Sequence, residues 1–231
     1  MAQSDTAVDG NAAGDGAAGE ILGLTKPQLR GMLHLVAFPL SIVSGIVVTV
    51  VAKGTTATIG AAIYALSGVV LFGVSALYHR GHWDARRRAQ LRRLDHSNIF
   101  LLIAGTYTPI CLTLLEGTTR TVVLTVVWIG ALAGVIFRVA WLGAPRWLYT
   151  PFYLALGWVA VAVMPELARN GGGSVVALLA VGGLAYTVGG VVYGLRRPDP
   201  VPAVYGYHEV FHTCTLIGFA AHYAAVVVAV T

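Results

Sequence analysis

Charged side chains are scarce in this chain. Asp, Glu, Lys and Arg make up 11% of its 231 residues, where a soluble domain carries about 25%. A water-soluble fold of this size is therefore excluded. Lysine is scarcer still, present only as Lys26 and Lys53 near the ends of the first apolar segment. A retinal protein, which needs a Schiff-base lysine within a span, is excluded with it. Cysteine occurs twice, as Cys111 and Cys214, both inside apolar runs. That implies no disulfide framework, and each reads as a small buried hydrophobe. Cys214 lies two positions from His212, on the opposite face of a helix, and makes a poor co-ligand. The aromatic residues show no cage or cofactor spacing. Most read as packing groups or interfacial anchors.

What is present is apolar. Hydrophobic residues make up 57% of the chain, and the mean hydropathy is +0.75. Seven apolar segments stand near 29–51, 57–79, 94–115, 121–141, 148–165, 174–195 and 205–230. Each approaches the ~20 residues a helix needs to span a bilayer, the fifth being the shortest. Their polarity does not alternate, and hydrocarbon leaves no backbone group unpaired, so helices are required. The expected fold is an all-α, integral membrane bundle of seven transmembrane helices over residues 25–231. Residues 1–24, rich in Ala, Gly, Asp and Ser, read as a disordered tail. They lack the positive start and apolar centre of a signal peptide. Thr25, Pro27 and Gln28 resemble a capped helix start. Gly130/Gly134 and Gly190/Gly194 give spacings that allow close helix contacts.

A net charge of +5 could suggest nucleic acid, but its placement speaks for topology and against a nucleic-acid partner. With the N-terminus inside, the cytoplasmic segments hold Lys26, Arg30, Arg80, Arg86, Arg87, Arg88, Arg92, Arg93, Arg138, Arg146, Arg196 and Arg197. The outer loops hold only Lys53, Arg120 and Arg169. This bias puts the N-terminus in the cytoplasm, and an odd number of spans puts the C-terminus outside. A G-protein-coupled receptor would have the opposite orientation. No paired intramembrane charges or matched broken helices point to a transporter.

Polar residues then converge. His208 and His212 are four apart and share a helix face. Ser75 and His79 share one likewise at the end of the second segment, and Asp95 begins the third. In the orientation above, all lie at the cytoplasmic ends of their helices. The Lys and Arg residues that set this orientation include none of them. Histidine inside a bilayer is costly and marks a functional site. Three neutral imidazoles, His79, His208 and His212, with one open position make a catalytic zinc arrangement. Imidazole ligands favour Zn2+ over calcium or magnesium. Zinc brings the pKa of water bound to it to about 7. Asp95 is placed to take or hold a proton of that water. Ser75 could support Asp95 or bind a substrate oxygen. His34 and His82 read as interfacial, His96 as a more distant group. His222 lies about 15 Å beyond His212, too far to share an ion.

These residues resemble the hemolysin III family. The likeness is carried by Ser75 and His79, by Arg93-Leu94-Asp95-His96-Ser97-Asn98-Ile99, by Gly105-Thr106-Tyr107-Thr108-Pro109, and by His208 and His212. That family is grouped with the progestin and adiponectin receptors and the alkaline ceramidases. The resemblance implies a seven-helix bundle with zinc near the cytoplasmic face, held by His79, His208 and His212. It implies that Asp95 holds the zinc-bound water and that Ser75 completes the polar cluster. The activity it implies is hydrolysis of a lipid amide such as ceramide; zinc with Asp95 would suit attack on a lipid ester as well. A non-enzymatic sensor with structural zinc and a cytolysin are the alternatives. Membrane lipids are the expected partners, with no soluble protein partner implied. Thirteen Arg against two Lys, with much Ala, Val and Gly, suggests a GC-rich bacterium and its plasma membrane.

Overall fold

The computed structural model describes residues 27–231. The tail expected at 1–24, and the Thr25 and Lys26 part of the expected helix start, lie outside the described residues. The described chain is helical: α1 (Met32–Val51), α2 (Thr55–Arg80), α3 (Ala85–Leu114), α4 (Gly117–Ala140), α5 (Arg146–Trp158), a 3-10 turn (Val159–Val163), α6 (Met164–Leu195) and α7 (Tyr207–Val230). Its only β pairing among the described residues is one isolated bridge, Val201 with Tyr205.

By length and composition, six helical stretches are apolar enough to cross a membrane, with Arg146–Leu195 counted as one stretch of 50 residues. As straight helix that stretch would measure about 75 Å, more than twice the ~30 Å hydrocarbon core. It instead doubles back. Tyr149 and Tyr193 hydroxyls lie 3.2 Å apart, while the Asn170 amide donates to the Leu114 carbonyl at 2.7 Å, at the far end of α3. The reversal falls at Gly172, with φ 77° and ψ 175°, a region essentially open to glycine alone. Apart from that residue the expected loop after 165 is helical, because helical geometry persists on both sides of the break.

Two other boundaries differ from expectation. The third helix begins at Ala85, not near 94. Asp84 caps it, its carboxylate accepting from the Arg87 amide at 2.8 Å. Hydropathy finds apolar residues, and the arginine-rich first turns are helical without being apolar. The first helix begins at Met32, not near 25–28. The amides of Gln28 and Leu29 donate to the carbonyls of Ala203 (3.0 Å) and Val204 (3.1 Å). The chain before α1 is thereby strapped to the loop before α7 and turns before it becomes helical.

Successive helices α1 to α4 pack side by side, α6 packs along α7, and α7 closes the bundle against α1, α2 and α3. The outer face of α1 carries Val36, Leu40, Val43 and Val50 at 58%, 63%, 61% and 76% exposure. Such a stripe is unfavourable in water and suits lipid. Inside, Phe72, Phe100, Val127 and Val226 are fully buried among neighbouring helices.

Candidate metal centre

The site is assembled at one end of the bundle, with Asp95 about three turns inside α3 and not at its start. α2 delivers Ser75 and His79 in its last two turns, α3 delivers Asp95 and His96, and the first turns of α7 deliver His208 and His212. One ligand atom from each of His79, His208 and His212 lies within 4.8 Å of the others. His79 Nε2 and His208 Nε2 are 3.2 Å apart. Two zinc–nitrogen bonds of ~2.05 Å at a tetrahedral angle would set nitrogens about 3.3 Å apart. The donor set fits zinc: three imidazoles, buried or half-buried, and no thiolate. The nearest Asp95 oxygen is 3.8 Å from His79 Nε2, beside the cluster. Ser75 and Asp95 line the same cavity, and the Ser75 hydroxyl is 2.8 Å from His34 Nδ1. Ser75 and the three histidines singled out from the sequence are thus brought together with Asp95.

His34 is the largest departure from expectation. Sequence position marks it as interfacial, but it is 3% exposed. Its ring stacks on His212 with centroids 3.7 Å apart and planes 5° from parallel. Its Nδ1 is 2.8 Å from the Ser75 hydroxyl. The reason is Gly31, one turn earlier, at φ 77°. A side chain there would collide with the His79 Cβ, so the missing Cβ lets the start of α1 settle onto the site. His82, by contrast, is exposed.

Glu209 is a second group that spacing does not single out. It stands between two of the histidines, fully buried. Its carboxylate pairs with the Arg30 guanidinium and accepts from the Gly206 amide at 2.9 Å. The charge is therefore compensated, and the turn carrying His208 is tied both to its own start and to the strap before α1. His96 has its own partners. Nδ1–H donates to the Arg92 carbonyl at 2.8 Å, so Nε2 accepts from the Tyr193 hydroxyl at 3.1 Å. Tyr193 in turn accepts from Tyr149 at 3.2 Å. This chain of donors braces α3, α5 and α6 against one another. His222 donates from Nε2 to the Leu179 carbonyl at 3.2 Å, away from the cluster. Cys111 and Cys214 are free thiols.

A cavity of about 410 Å³ leads from this cluster into the bundle. Ser75, Asp95, His208 and His212 line one end. Ile103, Ile110, Leu115, Leu167 and Leu184 are among its apolar walls. A buried polar cluster opening onto an apolar cavity at the end of a lipid-facing helical bundle defines the class: a polytopic membrane protein with a potential metal centre.

Comparison with known proteins gives the family. The model of the haemolysin-III related family matches residues 22–223, and the chain belongs to that family. It is 32% identical over 164 residues to a "Hemolysin-3 homolog" of Bacillus subtilis (strain 168), covering 71% of this chain and 74% of that protein. It is also 32% identical over 138 residues to "Hemolysin-3" of Bacillus cereus, covering 60% of this chain and 63% of that protein. With its apolar helices, this makes it a multi-pass bacterial membrane protein in contact with lipid.

Proposed function

We propose that this protein is a zinc-dependent hydrolase that cleaves an amide or ester bond of a membrane lipid. The observation that carries the reading is the continuity of the histidine cluster with the apolar cavity. A lipid tail lying in that cavity would present its carbonyl beside Asp95 and Ser75. His79, His208 and His212 would hold the ion, and the rest of the shell would be left for water and substrate. When bound, zinc acidifies water and polarises a carbonyl oxygen.

The chain's own residues do the remainder. Asp95 takes a proton at its carboxylate and returns it to the leaving nitrogen or oxygen. Ser75, which lines the cavity with Asp95, orients that carboxylate through its hydroxyl in this reading. Glu209 and Arg30 fix the turn that carries His208. The walls of the cavity exclude bulk water and strengthen the local electrostatics.

The same reading includes seven spans with the N-terminus in the cytoplasm. The reversal at Gly172 supports counting Arg146–Leu195 as two spans, and the arginines near the site support the orientation. Cysteines placed singly at Lys53 and Arg196, tested with an impermeant thiol reagent on intact cells in a Cys111→Ser/Cys214→Ser background, would label Lys53→Cys alone. Labelling of Arg196→Cys alone would reverse the orientation.

The test of function is metal analysis of the detergent-purified protein, followed by turnover on a panel of lipid amides and esters. Bound zinc with release of fatty acid from one of them supports the hydrolase. Bound zinc with no release from any lipid would leave a metal-clamped sensor. The names of the Bacillus relatives favour a second reading, lysis of other membranes. It requires that soluble protein be released into the medium, and protein confined to the membrane fraction rules it out.

A further inference from the structure

We propose that His34 is a positioning residue of this centre, holding the face of His212 and aiming the Ser75 hydroxyl at Asp95. The inference rests on the hydrolase reading for its catalytic half and on geometry for the rest.

The start of α1 touches the site twice within one turn. Gly31 lies against His79, and His34 lies against His212. The His34 ring is confined on two sides. His212 stacks on its face, and the fully buried Phe72 meets it edge-on, with centroids 5.1 Å apart at 79°. A ring held this way limits rotation of the His212 imidazole about its side-chain torsions. It thereby fixes the plane in which the His212 nitrogen must present its lone pair to an ion. Such outer contacts decide how a histidine ligand is oriented.

The second contact sets a proton's direction. The Ser75 hydroxyl has His34 Nδ1 as its partner at 2.8 Å, and Ser75 and Asp95 line the same cavity. In the proposed reaction Asp95 is the proton acceptor, and a carboxylate in that role takes the Ser75 hydroxyl proton. Its oxygen must then accept from His34, which places the imidazole proton on Nδ1. The His34 Nε2, buried with no hydrogen-bond partner, is left as an acceptor lone pair, which is less costly to bury unpaired than a donor. The order runs His34 Nδ1–H to Ser75 Oγ–H to Asp95. It aims the Ser75 hydroxyl proton toward Asp95, the group that receives a proton during turnover in the proposed reaction. His34 itself touches neither substrate nor ion in this scheme.

Two substitutions separate the two roles. His34→Phe keeps a flat ring on His212 and deletes the hydrogen bond. His34→Asn keeps a group near the Nδ1 position and deletes the ring. Zinc affinity of the full-length, detergent-purified protein would be read by competition with a chromophoric chelator. The visible absorption spectrum of the cobalt(II)-loaded protein reports the ligand arrangement independently of activity. For His34→Phe the expected result is zinc affinity close to wild type, with kcat on a cleaved lipid lowered by about 10–100-fold at unchanged KM. For His34→Asn it is zinc affinity lowered about tenfold and an altered cobalt spectrum.

The proposal is overturned if both variants match wild type in zinc affinity, cobalt spectrum and kcat, or if the wild-type chain binds neither ion. Failure of the hydrolase reading looks different. Wild type would bind zinc and cleave no lipid, while His34→Asn would still weaken the ion and shift the cobalt spectrum.

Discussion

His212 and His222 sit on the same helix, α7, and border the same cavity, yet they live in different chemistry. Around His212 three other imidazoles gather: His34 from α1, His79 from α2, and His208 one turn earlier. Around His222 there is a backbone carbonyl of α6 and the ring of Tyr186, 5.3 Å away between centroids. The difference lies in the neighbours. At one end the start of α1, the end of α2, the third turn of α3 and the start of α7 meet, and each contributes a polar group. At the other, α6 offers its backbone. A histidine in a membrane helix joins a group that could hold a metal only where several helices converge, since a single helix face supplies at most the i and i+4 pair.

The largest effect in this comparison should come from removing the pair. His208→Ala/His212→Ala is expected to bring bound zinc from about one ion per chain to near none. It should also erase any rise in Tm that added zinc produces in wild type, because binding to the folded state alone is what stabilises it. Mass spectrometry of the purified proteins and a thermal melt with and without zinc would check both. Zinc retained by the double variant would move the centre elsewhere. Next in size is Asp95→Ala. Asp95 sits beside the cluster, 3.8 Å from His79 Nε2, so metal content should hold while turnover falls about 10²–10⁴-fold, the usual share of a general acid or base. Steady-state release of fatty acid measures it, and an unaffected kcat would remove Asp95 from proton transfer.

The same contrast explains what was legible in the amino-acid order. His208 with His212, and Ser75 with His79, announce themselves because four-residue spacing is a property of one helix. The run of arginines then locates those pairs at one end without any tertiary knowledge. His34 is illegible by this route. Its role comes from a stack on a residue of another helix, distant along the chain, made possible by the missing side chain of Gly31. Glu209 is hidden for the same reason, since its partner Arg30 lies on the strap before α1. The helical character of the run was plain from composition. The reversal at Gly172 was harder to place, because three successive glycines offer three candidate positions and only the backbone angles choose among them.

A smaller effect tests the cavity between the two histidines. Gly183 borders it, and a Cβ added there meets nothing within 4 Å. Gly183→Leu should fill part of the space with a residue of better helix propensity. Zinc content is expected to stay at the wild-type level, while KM for a long-chain lipid rises about tenfold, the scale of a few misplaced methylenes in an apolar pocket. A series of acyl lengths sharpens this: short chains should be spared. Equal losses for all lengths would mean that the tail lies elsewhere.

The smallest effect belongs to His222. Replacing it by Leu removes one hydrogen bond to the Leu179 carbonyl, worth about 1 kcal/mol net. It also removes a buried Nδ1 that has no hydrogen-bond partner, which offsets part of that loss. His222→Leu should therefore melt within a few degrees of wild type and carry the same zinc, in contrast to the loss expected at His212. Parallel metal analysis of His222→Leu and His212→Leu makes the comparison direct, because the two variants share residue change, helix and cavity. If His222→Leu also loses the ion, convergence of α1, α2, α3 and α7 is not what makes the centre, and the far end of the cavity takes part in holding it.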